Sequence, residues 1–405
     1  MISDPEGGAP DTADYLLSAA AVRERCGIVL AAAERGETRH FRLNLDRLDA
    51  AVTRVVAVTR RRYPDLAVPF HSRWRHFDVG GIARAALVAP EANAAERARA
   101  RLDLAIVSVL LDAGAGDRWT FREPETGLLV TRSEGLAVAS LRAMQAGLFS
   151  SDPAQPWRAD AAALADLSIE RLAAAFQHGP NNQLAGLQGR VHLLRRVGEV
   201  TREQPAVFGV PARLGGPYDF WLQRRADLPA PDMLRLVLRA LGPIWPGRLS
   251  LDGVPLGDCG RHSAIAGDGL VPFHKLSQWL TYSLIEPLAD AGFNITEIDG
   301  LTGLAEYRNG GLFIDCGVLQ PHDDTLFRNP LDPFGEAVVE WRALTLALLD
   351  RLAAPVRDRL RVDAAAFPLA KILEGGTWAA GREIAAERRP SGGPPFAIAS
   401  DGTLF

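Results

Sequence analysis

The sequence predicts a mainly helical α+β protein carrying a few small β hairpins, and three observations lead there. Apolar residues recur at helical spacing through most of the chain. Alanine is abundant, and the β-prone runs are short and flank turn residues. The first helical stretch runs from Asp14 to Tyr63, with Val22, Ile28, Val29, Leu45, Leu48, Val52, Val55 and Val56 at its apolar positions. Ala83 to Leu111 reads as a second, alanine-rich stretch. Asp117 to Arg132 breaks the habit, because Trp-Thr-Phe-Arg and Leu-Leu-Val-Thr flank Pro124-Glu125-Thr126-Gly127 as the arms of a hairpin. Helical signals return over Leu136–Phe149, Asp160–Phe176, Gly189–Glu199 and Met233–Leu241. A second hairpin is expected over Arg248–Cys259, with Asp252-Gly253 at its turn. Pro272–Ala291 reads as a helix opened by Pro272, with Leu276, Leu280 and Leu284 on one face and Pro287 bending or shortening its end. Leu301 to Leu319 fits either a strand–turn–strand or a loop leading into a short helix that ends at Gly317. Trp341–Leu352 is helical again. Residues 1–13 read as a flexible tail, and Arg388–Phe405 as a Pro/Gly-rich tail hugging the surface. The intervening 14–387 is expected to form one catalytic unit that admits two closely packed subdomains, 14–150 and 151–387.

Composition narrows the function. With 405 residues, 47% hydrophobic and 23% charged, the chain is an ordinary globular one, neither disordered nor fibrous. A net charge of −4 offers no basic field, so no nucleic-acid partner is expected. Cys26, Cys259 and Cys316 are odd in number and far apart, with no CxxC or Cys/His cluster, which favours reduced thiols over zinc. No run of about 18 apolar residues exists to span a membrane, and the first residues lack a basic, then apolar, leader. A cytoplasmic protein is the expectation. There is no GxGxxG after a strand, no GxxxxGK[ST], no HExxH and no GxSxG, so neither cofactor nor metal is expected. Ser133 in Thr131-Arg132-Ser133-Glu134-Gly135 only superficially resembles a nucleophile elbow, because the first glycine is a threonine.

Only two residues of the 45 lysines and arginines are lysine, Lys275 and Lys371. In an arginine-rich background a lysine is chosen for its compact ammonium, which draws attention to Lys275. His274, Lys275 and Gln278 share the first turns of the predicted helix, where amides and dipole favour anions. That arrangement fits a phosphate site; the plainer alternative is a lysine snorkelling from a core helix. Glu306-Tyr307-Arg308 follows an apolar, glycine-punctuated stretch, where a carboxylate needs a partner or a reaction. A structural Glu306–Arg308 pair is the alternative. Asp315, Asp323 and Asp324 are further carboxylates, the last two in an exposed turn or helix cap. The cluster His71-Ser72-Arg73-Trp74-Arg75-His76-Phe77 reads either as a recognition loop for an anionic or sugar-bearing ligand, or as an ion-pair patch with Trp74 buried.

The segments VPFHKLSQWLTYSLIEPL, LTGLAEYRNGGLFIDCGVL, HSRWRHF, RSEGLAVASL and GLQGRVHLLRRVGE resemble a family of uncharacterised-domain proteins linked to uracil catabolism, over roughly Tyr15 to Trp378. A shorter stretch is similar to queuosine 5′-phosphate N-glycosidases. These carry a Lys-Arg-Ala-Gln helix motif and, about thirty residues on, a threonine-led apolar stretch ending in Asp-Tyr-Arg. His274-Lys275-Leu276-Ser277-Gln278 matches the first, and Leu301-Thr302 with Glu306-Tyr307-Arg308 matches the second. Departures are Glu306 for aspartate, Leu276-Ser277 for Arg-Ala, and Asn309-Gly310-Gly311 where that family continues with proline. The resemblance implies a helical, DNA-glycosylase-like body and a hydrolase of the N-ribosidic bond of a 5′-phosphorylated ribosylurea, releasing urea and ribose phosphate. It implies Glu306 and Lys275 as the catalytic pair. Substrate-binding candidates are His274, Gln278, Tyr307 and Arg308, with His71, Arg73 and Trp74 on a loop closing the pocket. The partner is then a small ribosyl phosphate, and the oligomeric state stays open. A ribonucleotide-binding regulatory protein, an amidohydrolase and a phosphoribosyl transferase are the alternatives.

Overall fold

In the computed structural model, described for residues 12–116, 118–224, 227–245 and 249–399, the chain is mainly helical with two-stranded β pairs. It forms two compact units. One takes residues 12–71, 249–278 and 297–399, and the other takes the rest of the described chain. No helix among the described residues is long and apolar enough to cross a membrane.

The first unit is built on the 25-residue helix Glu336–Leu360, against which Ala19–Glu34 and Leu48–Arg62 pack. Ala19–Glu34 starts where Ser18 accepts from the Ala21 amide, an N-cap that supplies the first turn's missing acceptor. The helical stretch expected from Asp14 to Tyr63 is broken by a strand, Phe41–Leu43, paired antiparallel with Leu319–Pro321. The cause is non-local. Buried Glu340 accepts from the amides of His40 (3.1 Å) and Phe41 (2.7 Å) and faces His262 Nε2 at 3.1 Å, holding that backbone extended. The Asp252-Gly253 hairpin forms between Ser250–Leu251 and Val254–Pro255. Pro272 is not a helix start. It ends a strand, Leu270–Pro272, paired with Cys259–Arg261, and the helix begins at Lys275. The ambiguous stretch resolves into a helix, Tyr307–Asp315, closed by Gly317 at φ 78°. The C-terminal segment does more than hug the surface: Phe396 is 2% exposed, its ring 4.4 Å from Trp341 and 5.9 Å from Phe41. Residues 1–11 and 400–405 lie outside the described residues, and Ala13 already opens a short helix.

Glycines set how closely Tyr307–Asp315 is gripped. A Cβ on Gly310 would stand 2.6 Å from the Trp341 ring, and one on Gly381, in the helix Trp378–Arg388, would press on the Arg308 carbonyl oxygen. Backbone cannot yield as a side-chain tip does. Gly381→Ala is therefore expected to lower stability by about 1–3 kcal/mol, the usual penalty of overpacking, read as an earlier midpoint in urea unfolding.

The second unit packs Ala94–Leu110, Arg132–Gln145 and Leu187–Arg202. The stretch predicted from Ala83 starts as a helix only at Ala94, after Pro90 and under the Asn93 cap. Asp160–Phe176 is two helices, Ala161–Ala165 and Ile169–Ala175, each with its own cap, Asp160 and Ser168. The Pro-Glu-Thr-Gly hairpin is present, with Phe121–Arg122 paired to Leu129–Val130. Pro287 lies inside the helix running to Asp290 rather than ending it. Proline has no N–H for the Ser283 carbonyl, and the Trp74 indole donates to that oxygen instead, at 2.8 Å.

Candidate active site

The candidate residues that converge lie in the first unit, at the start of the helix Tyr307–Asp315. Glu306 is its N-cap, in extended backbone geometry (φ −119°, ψ 164°), and its carboxylate accepts from the amides of Arg308 (2.7 Å) and Asn309 (2.6 Å). Short side chains cap helices best; a glutamate reaching the same amides fixes its carboxylate tightly while standing further from the backbone. Burial pushes the Glu306 carboxyl above its usual range, against the opposing pull of those two amides and of the charges on Lys275 and His71. Lys275 and His71 thus both act electrostatically on Glu306. A carboxylate that is desolvated yet held by cations is suited to acting on a developing positive charge.

Lys275 opens the helix Lys275–Asp290, but its backbone amide is not offered to an anion. Asp258 accepts it at 3.0 Å. Asp258 in turn receives both terminal nitrogens of Arg342, each at 2.7 Å. Burial works against the ionisation of Asp258, but Arg342 outweighs it and holds the carboxyl below its usual range. One amide of the helix start expected to hold a phosphate is therefore already taken by a carboxylate.

His274 precedes the helix at φ 50°, a left-handed conformation rare outside glycine, and is 1% exposed. Its Nε2 bonds to the Leu16 carbonyl at 2.8 Å, and burial lowers its pKa, so the ring is neutral with Nε2–H donating. Nδ1 is then an acceptor with no hydrogen-bond partner among the described residues. Gln278 is fully buried. Its Oε1 accepts from the Thr302 amide at 3.3 Å, tying together the two segments singled out in the sequence, while its Nε2 has no such partner. Asn309 donates to the Leu304 carbonyl at 3.1 Å and leaves its own Oδ1 unmatched. Buried polar groups are nearly always matched, and these three atoms are left without a protein partner among the described residues. Tyr307 is 37% exposed, and the Arg308 guanidinium lies over its ring (4.8 Å) and donates to the Gly392 carbonyl at 2.6 Å. The Glu306–Arg308 link runs through the backbone amide.

Arg73 and Trp74 need correcting. A loop meeting a ligand must show it a face, but both side chains are committed inside the second unit. Arg73 is 0% exposed, paired with Asp112 at 2.9 Å and donating to Ser108 Oγ at 2.7 Å, and Trp74 is 2% exposed on the Ser283 carbonyl. Ser133 donates to Asp112 within the first turn of its helix. Asp323 caps a short helical turn, and Asp315 pairs with Arg389. All three cysteines are free and buried, with burial pushing the Cys259 thiol up to about 12.

Sequence reasoning missed Glu374 and Asp258. Glu374 faces His71 Nδ1 at 2.8 Å from a π-helical turn, Leu373–Thr377. Its signal was a carboxylate followed by two glycines inside an apolar helical run. Asp258 carried only its place after a hairpin.

Over residues 15–405 the chain matches the family described as "Protein of unknown function (DUF1688)". The chain belongs to the DUF1688 family. It is 39% identical to Protein urg3 of Schizosaccharomyces pombe, over 98% of this chain and 99% of that protein. It is 36% identical to Uracil catabolism protein 4 of Lachancea kluyveri, over 96% of this chain and 98% of that protein. The description of the DUF1688 family carries no activity, so the chemistry has to come from the residues around Glu306.

Proposed function

We propose that this protein acts in uracil catabolism as a hydrolase of the N-ribosidic bond of a 5′-phosphorylated ribosylurea, releasing urea and ribose phosphate. The observation that carries the reading is the Glu306 carboxylate, half-buried, fixed by two amides and within reach of the Lys275 and His71 charges. The name of the Lachancea relative, Uracil catabolism protein 4, supports the pathway. Cleavage of such a bond passes through an oxocarbenium-like transition state, with positive charge on the anomeric carbon and ring oxygen. Glu306 stabilises that charge and takes a proton from the attacking water. The amides of Arg308 and Asn309, helped by the Lys275 charge, favour the ionised form of Glu306 against burial. The unmatched atoms of Gln278, His274 and Asn309 supply one donor and two acceptors for sugar hydroxyls or the ureido group.

The test is a product assay on ribosides with and without a 5′-phosphate. Urea release from ribosylurea 5′-phosphate, faster than from the unphosphorylated compound, is the expected result. Binding without product would favour a ribonucleotide sensor, and ammonia in place of urea would favour an amidohydrolase.

A further inference from the structure

We propose that His71 and Glu374 form the proton-delivering dyad of the Glu306 site, with His71 the catalytic acid that protonates the departing nitrogen and Glu374 the residue that positions it. The proposal rests on the N-ribosidic reading. The His71 and Glu374 side chains are each 9% exposed and meet at 2.8 Å through Nδ1 and Oε2. An ionised carboxylate only accepts, so Nδ1 carries the hydrogen and Nε2 is left for proton exchange. Glu374 is itself anchored: the Tyr63 hydroxyl reaches its Oε1 at 3.2 Å and Arg62 at 3.3 Å. The His71 amide is tied to the Ala370 carbonyl at 3.1 Å.

The backbone carrying Glu374 is unusual. Leu373–Thr377 is a π-helical turn, a rare form concentrated at functional sites. Gly376 lies so close to the Leu48–Arg62 helix that a Cβ would stand 2.5 Å from Val55. The His71 ring leans on Trp378, with centroids 6.4 Å apart. Trp378 opens the helix whose Gly381, about one turn on, abuts the Arg308 carbonyl just behind Glu306. That tilted contact ties His71 to the helix that packs on the Glu306-capped one, and the His71 charge acts on Glu306.

The chemistry calls for such an acid. When the C1′–N bond breaks, its electron pair goes to a ureido nitrogen, which is a poor anion compared with a ring-delocalised nucleobase. His71 Nε2–H donates its proton to that nitrogen as the bond breaks. Water oxygen bonds to C1′ and its proton goes to Glu306. Return of that proton from Glu306 to His71 resets both groups, so the sum is substrate plus water giving urea plus ribose phosphate.

The experiment compares wild type, His71→Gln and Glu374→Gln on two substrates, ribosylurea 5′-phosphate and 4-nitrophenyl riboside 5′-phosphate, whose phenolate leaves without protonation. His71→Gln is expected to lose about 10²–10⁴-fold on ribosylurea, the worth of one acid, and less than about tenfold on the nitrophenyl substrate. The retained activity also shows that the variant is folded. Glu374→Gln is expected to lose activity on ribosylurea in the same direction while sparing the nitrophenyl substrate, because His71 is then no longer held for the ureido nitrogen. Equal losses on both substrates, in either variant, would overturn the dyad and leave the N-ribosidic reading standing. Wild type that cleaves neither substrate would overturn that reading and the dyad with it.

Discussion

Glu306→Gln is expected to lower urea release from ribosylurea 5′-phosphate by at least about 10²–10⁴-fold, with a loss of stability no larger than that of one capping bond, about 0.5–2 kcal/mol. The Glu306 oxygens serve one amide each, Oε2 that of Arg308 and Oε1 that of Asn309; glutamine keeps one of the two acceptors, so the cap of the Tyr307–Asp315 helix is weakened but not removed while the charge is lost. Glu306→Asn separates the two roles further. Asparagine is a favoured N-cap, so a carboxylate present only for capping predicts unchanged turnover in that variant. Loss of turnover with retained stability assigns the carboxylate to the reaction. The pH profile carries the same logic. Activity needs ionised Glu306, and burial raises its pKa above the ordinary 4.5, so the acid limb of kcat/KM falls at a pH above that value. The Lys275 charge pulls that pKa down, so Lys275→Met shifts the limb to still higher pH. A limb that stays in place in Lys275→Met would separate the ammonium from Glu306.

Arg84→Met is expected to cost about 1–3 kcal/mol, because it takes the bidentate partner from a buried carboxylate and leaves Arg142 and Thr126 alone to hold it. Arg84 and Glu123 are both 0% exposed and meet through two bonds, at 2.8 and 2.5 Å. Arg142 adds a bond of 2.9 Å to the same carboxylate, and Thr126 Oγ1 donates at 2.6 Å. Arg84 also donates to the carbonyls of Phe77 (2.9 Å) and Val79 (2.7 Å), so its loss leaves backbone oxygens unmatched as well. The Arg84 guanidinium, helped by Thr126 and Arg142 and opposed by burial, holds the Glu123 carboxyl down to about 2 from 4.5. A depressed pKa means that this contribution is complete above about 4.5 and is lost as the pH falls toward about 2. Unfolding by denaturant at pH 7, and acid titration below pH 5, read the two effects. An Arg84→Met variant as stable as wild type would show that the pair contributes nothing net.

Much of the fold was legible because its signals are local. Asp252-Gly253 and Pro124-Glu125-Thr126-Gly127 dictate turns by their own backbone preferences, and both hairpins are present. Asp160 caps a helix where the apolar spacing placed one, because its side chain reaches the first amides; the starts after Ser18, Asn93 and Ser168 lay inside longer stretches that spacing alone did not divide. The errors came where a distant group overrode the local pattern. The strand at Phe41–Leu43 exists because Glu340, some three hundred residues on, takes its amides. Arg73 and Trp74 looked like a recognition loop because a cluster of cations and aromatics reads alike whether it faces water or, as here, Asp112 and Ser283.

By itself, the sequence determined the helical class, the two hairpins, and a short roster of polar residues around Lys275 and Glu306 too costly to bury without purpose. Those depend on spacing, turn chemistry and side-chain type, all of which are written within a few residues. Only the tertiary structure decided that Glu306 is a cap held by two amides, that Asp258 already occupies the amide of Lys275, and that Glu374 stands behind His71. Charge and hydrogen bonding act through space, and the groups that meet here are as many as 303 residues apart along the chain.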